Sequence, residues 1–173
     1  MIKVYTGTMF SGKSTALINE YNKIQDKNSV VCFKPSKDTR DKSSIRARNV
    51  KDKIESIVIS SFEEILLHIK EETKYIFIDE VQFIGGDFNV LTHLSLYRDL
   101  TIIVAGLNKT SELKPFGQMP QILAIADEIV ILRTKCKCGE VALYTGCIKE
   151  KNAEILVGDS EYEPLCRKCY LEI

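Results

Sequence analysis

The chain has 173 residues, 24 basic and 24 acidic side chains, 45% hydrophobic residues and six cysteines. That length suits one domain, or one domain with a small appendage, and zero net charge speaks against a sequence-blind nucleic-acid binder, which needs a basic excess. No apolar run approaches the ~20 residues of a membrane span and the start lacks the apolar core of a signal peptide, so a cytoplasmic protein with reduced cysteines is expected, without nucleic-acid or membrane partners.

In chain order, short β-branched or aromatic runs alternate with helix-compatible ones. The strand candidates are "IKVYTG" from Ile2, "SVVCFKP" from Ser29, "SIVIS" from Ser56, "YIFIDE" from Tyr75, "TIIVAG" from Thr101 and "EIVIL" from Glu128. Runs of this kind suit strands covered on both faces. Between them, helices are expected over Lys13–Lys27, Phe62–Glu72, Asn89–Tyr97 and Met119–Ala126. Ser61 and Glu64 have the spacing of a capping box, and Pro120 suits a first helical turn. The alternation predicts an α/β fold, a mainly parallel sheet flanked by helices, over residues 1–134; the glycine pattern that follows β-like "IKVYTG" makes it one of P-loop NTPase type. From Lys135 cysteines, glycines and short polar runs replace it, and residues 135–173 read as a small zinc-binding unit, too short for a hydrophobic core of its own.

Gly7, Gly12, Lys13 and Ser14 fit the pattern G-x-x-x-x-G-K-[ST]. Such glycines let backbone N–H groups turn toward phosphate oxygens, the lysine reaches the β- and γ-phosphates, and the serine hydroxyl ligates Mg²⁺. The following helix points its positive end at the same anion. The plain alternative is a glycine-rich turn of no function. An apolar strand before the loop and a helix-compatible run after it favour the phosphate cradle.

Asp79 and Glu80 close the apolar run "YIFIDE". In P-loop enzymes an acid at the carboxyl edge of a neighbouring strand holds Mg²⁺. Successive strand residues face opposite ways, so Asp79 is assigned to the metal side and Glu80 to the acceptor, as general base. The same letters resemble an ATP-driven helicase strand, but a motor needs a second domain or a partner, and both the 173-residue length and the near-neutral charge speak against that expectation.

Cys136 and Cys138 stand as C-x-C, and Cys166 and Cys169 as C-x₂-C. Two close thiolate pairs are the sequence form of a structural Cys₄ zinc site. Four reduced structural thiols are the alternative. Cys147 is a spare thiol or a substitute for one of the first pair, Cys32 reads as core, and His68 and His93 as ordinary helix residues.

Together, "GTMFSGKST", "FKPSKDTR", "FIDEVQF", "VAGL", "KPFGQMPQILAIADEI", "CGEVALYT" and "VGDSEYEPLCRKCY" follow the order of the zinc-containing (type II) thymidine kinases, which the chain resembles over essentially its whole length. The resemblance implies phosphorylation of the 5′-hydroxyl of thymidine or deoxyuridine by ATP with Mg²⁺, in nucleoside salvage for DNA synthesis. It also implies a homotetramer with feedback by an end-product nucleoside triphosphate. Carried over position by position, Gly7, Thr8, Met9, Phe10, Ser11, Gly12, Lys13, Ser14 and Thr15 would bind the donor, with Asp38, Arg40, Asp79 and Gln82 beside them. Ser14 and Asp79 would hold Mg²⁺, and Glu80 would be the catalytic base. Met9, Gln82, Phe83, Leu107 and Phe116 would line the nucleoside pocket. Tyr162 would close it from a zinc-anchored lasso whose main chain at Val157 and Gly158 grips the base. The chain departs from the family pattern at Asp41, Ala47–Asn49, Asn108, Ser111, the single glycine at Gly158 and the shortened first cysteine pair. These departures touch acceptor positions more than donor ones. A kinase for another pyrimidine nucleoside, or a nucleotide-binding regulator without acceptor chemistry, are the alternatives.

Overall fold

Six parallel strands form the central sheet of the computed structural model, which describes residues 1–38, 43–47, 53–148 and 161–173. In chain order the strands are β1 (Ile2–Gly7), β2 (Val30–Pro35), β3 (Ser44–Arg46), β4 (Lys53–Glu55), β5 (Ile57–Ile59), β6 (Tyr75–Ile78), β7 (Thr101–Gly106) and β8 (Glu128–Leu132). The sheet order is β5-β2-β6-β7-β1-β8, with β3 and β4 paired separately as an antiparallel hairpin. All six expected strands are present; β1, β7 and β8 match at both ends, and β2, β5 and β6 are shorter by one or two residues. The hairpin has no counterpart in the expected pattern.

Period-two alternation divides the strands between two cores. On one face Val4, Phe33, Ile76, Ile78, Ile102 and Val104 pack with Leu91 and Leu94 of helix α2 (Asn89–Tyr97) and Met119 and Ile122 of α3 (Met119–Ala124). On the other, Tyr5, Cys32, Phe77, Ile103 and Ala105 pack with Leu17 and Ile18 of the long helix after β1 (Lys13–Lys23) and Ile45 and Ile54 of the hairpin. Cys32 is core, as expected, and burial pushes its thiol up to about 12, which leaves it inert.

Several expectations give way to local physics. The first helix stops at Lys23 rather than Lys27, because the Asp26 side chain accepts the Asn28 N–H and caps a separate 3₁₀ turn at Lys27–Ser29. Short polar side chains near a helix end compete for backbone groups in this way. The expected helix over Phe62–Glu72 is a 3₁₀ helix over Phe62–His68. Its buried residues, Phe62 and Ile65, are three apart, and such positions eclipse in 3₁₀ geometry. Glu64 still makes its half of the expected cap, accepting the Ser61 N–H at 3.0 Å. Strand β8 is not covered on both faces. Its Ile129 and Ile131 are 46% and 61% exposed, because it is a sheet edge and the chain leaves it for the cysteine unit without a covering helix.

The topology also corrects the place of Asp79 and Glu80. Their strand, β6, does not adjoin β1; β7 pairs with both and lies between them. The tail forms two small antiparallel pairs, β9 (Thr134–Lys135) with β10 (Val141–Ala142) and β11 (Tyr144–Cys147) with β12 (Tyr162–Leu165), and a last helical turn, Arg167–Tyr170. Its buried cluster is Cys136, Ala142, Leu165, Cys166 and Cys169. Among the described residues no helix is long and apolar enough to cross a membrane.

Phe77 is fully buried and meets the Tyr21 ring edge-on at 5.9 Å, so it ties the first helix to the sheet centre. Phe77→Ala is expected to cost about 3–5 kcal/mol. In urea titration this appears as a lower midpoint at unchanged slope.

Candidate active site and cysteine cluster

In a parallel sheet all strands end at one edge, and the phosphate loop, Asp38, Asp79–Phe83 and Leu107 all follow strands that end there. Strands lie about 4.8 Å apart, so the ends of β1 and β6 are separated by roughly 10 Å, with the end of β7 between them.

The phosphate loop is shaped by backbone that other residues would not tolerate. Gly7 has φ 148°, and a Cβ there would stand 2.2 Å from the Leu132 carbonyl oxygen. Gly12, at φ 86°, caps the first helix in the left-handed region, and Phe10 also takes a left-handed φ of 62°. Lys13 is buried and its Nζ donates to the Thr8 carbonyl at 2.7 Å, folded back over the loop. The hydroxyls of Thr8 and Ser11 are buried with no hydrogen-bond partner among the described residues. Buried orphan hydroxyls are uncommon, and in this loop an oxyanion would satisfy them. Ser14 and Thr15 are half-buried on the first helical turn.

Asp79 is buried at the end of β6, and its Oδ1 accepts the Glu80 N–H at 3.0 Å. Glu80 has φ 50° and ψ 40°, a left-handed conformation that is costly for a residue with a side chain. It opens a 3₁₀ turn at Val81–Phe83 whose Gln82 returns to it, Nε2 donating to Glu80 Oε2 at 2.6 Å. Gln82 Oε1 accepts the Leu107 N–H at 3.0 Å, and the Phe83 and Phe116 rings meet edge-on at 5.2 Å. Four of the expected pocket residues, Gln82, Phe83, Leu107 and Phe116, therefore form one connected group. Met9, on the phosphate loop, is tied instead to the cysteine unit: its N–H donates to Thr145 Oγ1 on β11 at 3.0 Å.

Asp38 lies just beyond β2 and is ion-paired at 3.1 Å with Lys34, which is only 2% exposed. Lys34 was not singled out from the sequence. A lysine closing the apolar run "VVCFKP" was the available signal, since a buried lysine needs a partner. Thr145 carried no such signal, because its tie to Met9 spans 136 positions. Arg40, Val157 and Gly158 lie outside the described residues, as do Asp41 and most of the expected lasso.

The Sγ atoms of Cys136, Cys138, Cys166 and Cys169 all lie within 4.8 Å of one another, and those of Cys138 and Cys166 are 3.6 Å apart. Tetrahedral zinc with bonds of about 2.3 Å places its sulfurs about 3.8 Å apart, so these residues fit the ion. The short C-x-C pair works because Gly139, at φ 92°, completes a tight turn in which its N–H donates to the Cys136 carbonyl at 2.9 Å. Backbone N–H groups of Cys138 and Cys166 hold the Cys136 thiol well below its ordinary range, whereas bonds to Cys136 and Cys138 raise Cys169. Four sulfurs this close cannot all ionise without a cation. Cys147 is outside the cluster, on β11, opposite Tyr162 of β12. His68 and His93 are also outside it. The cluster pins β11 and β12, the two strands from which the expected lasso would run.

The thymidine kinase family profile matches residues 1–170. A thymidine kinase of Bacteroides thetaiotaomicron is 36% identical over 173 residues, which is 98% of this chain and 86% of that protein. The chain belongs to the thymidine kinase family. Among solved structures, the genome packaging NTPase B204 of Sulfolobus turreted icosahedral virus 2, in complex with sulfate, has a TM-score of 0.46 at 17% identity, over 80% of this chain and 76% of that one.

At two of the positions that depart from the family pattern, main-chain carbonyls that any residue would supply make tertiary contacts. The Asn108 carbonyl accepts the Phe116 N–H at 3.2 Å and so closes the loop after β7. The Ser111 carbonyl accepts the Tyr170 hydroxyl at 2.6 Å, fastening that loop to the cysteine unit. Lys109 adds to the seam, its ammonium 4.6 Å from the centre of the Tyr144 ring. Metal analysis of the purified protein is expected to give close to one zinc per chain. Cys166→Ser is expected to lose most of it, because among the described residues only these four metal-binding side chains come together there.

Proposed function

We propose that this protein transfers the γ-phosphoryl group of ATP to the 5′-hydroxyl of thymidine, and of deoxyuridine as a second acceptor. The observation that carries the reading is Glu80 held two strands from the phosphate loop, at the same sheet edge, in a chain of the thymidine kinase family. In this reading residues 1–134 carry the chemistry, and residues 135–173 carry the cysteine site and the lasso.

Residues 7–15 bind the donor phosphates. Backbone N–H groups of the loop and the Lys13 ammonium take the negative charge, and the buried Thr8 and Ser11 hydroxyls gain the partner they otherwise lack. Asp38, held by Lys34, and Arg40 border the same charges. Mg²⁺ would neutralise charge on the transferred group, with Ser14 and Asp79 holding it. Met9, Phe83, Leu107 and Phe116 bind the nucleoside, with Tyr162 and the main chain of Val157 and Gly158 covering it. Glu80 accepts a hydrogen bond from the acceptor hydroxyl, aligns it for in-line attack and takes its proton as the new P–O bond forms. A loose transition state asks little nucleophile activation, so orientation is the larger part of what Glu80 supplies.

The reading extends to a structural zinc on the four cysteines, a cytoplasmic homotetramer and inhibition by an end-product nucleoside triphosphate. Family membership supports the assembly and the feedback; the sulfur geometry supports the metal.

Purified protein with ATP and Mg²⁺ is expected to convert thymidine to its 5′-monophosphate, followed by separation of the products. Glu80→Gln is expected to lower kcat by roughly 10²–10⁴. No thymidine turnover beside turnover of another nucleoside would overturn the acceptor assignment.

A further inference from the structure

We infer that Gln82 is a positioning residue: it fixes the direction of the Glu80 carboxylate by tying it to the end of β7. The inference rests on the reading of Glu80 as general base.

The side-chain amide of Gln82 is engaged with the protein at both ends. Its Oε1 accepts the Leu107 N–H at 3.0 Å, and its Nε2 donates to Glu80 Oε2 at 2.6 Å. The orientation of the amide follows from its partners, since a backbone N–H only donates and an ionised carboxylate only accepts. A reversed amide would set two donors and two acceptors against each other.

Two glycines hold the residue in place. A Cβ on Gly106 would lie 2.6 Å from Gln82 Oε1, and one on Gly117, itself at φ 50°, would lie 2.2 Å from the Gln82 carbonyl oxygen. Gln82 is 4% exposed, so its side chain has no alternative placement in water. Both glycines are thus places where the surrounding chain closes directly on Gln82.

Glu80 needs such a tie. It stands two residues beyond β6, in left-handed backbone, so the strand does not dictate where its side chain points. The bond from Gln82 is charge-assisted and short, which fixes one oxygen and with it the plane of the carboxylate. The other end of the amide rests on Leu107, the first residue beyond β7. Because β7 also pairs with β1, the carboxylate is referenced to the strand that carries the phosphate loop. A base whose task is mainly orientation depends on that reference, since small misplacements of reacting groups cost rate steeply.

The test is a double-mutant cycle. Gln82→Met, Gly106→Ala and Glu80→Gln are made singly, and each of the first two is combined with Glu80→Gln. Gly106→Ala keeps the chemistry of Gln82 and displaces its oxygen, with Val81 and Met119 crowded beside it, so it serves, with its thermal midpoint as the control, where Gln82→Met folds poorly. Thermal midpoint and zinc content report folding; kcat, KM for thymidine and Kd for ATP are measured. Gln82→Met is expected to lower kcat about 10- to 100-fold while KM and Kd stay within about threefold. In the Glu80→Gln background it is expected to cost less than about twofold, because the group it positions is already altered. Gly106→Ala is expected to follow the same pattern with a smaller loss. The inference is overturned by a full multiplicative loss in the Glu80→Gln background, by unchanged kcat, or by a tenfold or greater weakening of ATP binding at preserved kcat. The last outcome would make Gln82 a donor ligand. Absence of thymidine turnover in the wild-type protein is a separate failure, of the proposed function, and takes the inference down with it.

Discussion

The insertion of β7 between β1 and β6 is the constraint on which the rest of the site depends. Its ladder to each neighbour is parallel and continuous, which sets the two outer strands a fixed two spacings apart. The phosphate loop sits beyond one of them and Asp79–Glu80 beyond the other. The residues ending β7 must therefore fill the floor between cradle and carboxylate without occupying the space above it. Gly106 meets that demand by having no side chain, and Leu107 meets it by turning its N–H toward Gln82. Gly117, arriving from the loop after β7, closes on the backbone of the same glutamine. Phe10 and Glu80, at this edge, both adopt left-handed backbone, and the packing around them is what sustains it.

The cysteine unit answers to a different constraint. Three of its five buried core residues are cysteines, so apolar burial there is small and the sulfur cluster stands in for a hydrophobic core. It is fastened to the rest of the chain by Thr145 at the phosphate loop and by Tyr170 at the loop after β7. Both fastenings reach main-chain atoms, so they constrain backbone position rather than side-chain identity. The phosphate loop, the loop after β7 and the cysteine unit are thereby coupled. Anything that loosens β11 and β12 acts on the position of Met9.

Much of the fold was legible because its signals are local. Six apolar runs became the six strands of the parallel sheet, and the glycine pattern became a loop between strand and helix. Helix ends and types were less legible, since they turn on competition between near-equal local options. Asp26 capping a new turn and the three-residue spacing of Phe62 and Ile65 were each enough to shift the outcome. Strand β8 shows the same limit at larger scale. Its letters match a buried strand, and only the sheet order reveals that it lies at an edge.

What the sequence by itself determined was chemistry: a phosphate loop, a pair of acids at a strand end and four cysteines in two close pairs. These are short-range patterns, each fixed by residue type and spacing along the chain. Only the tertiary structure decided how they relate. It placed a strand between loop and acids, paired Lys34 with Asp38, joined Met9 to Thr145 and held Glu80 through Gln82. The reason is that strand order and hydrogen bonds between distant segments follow from which faces can be buried together. That is a property of the whole packed chain, and no single stretch of it carries the information.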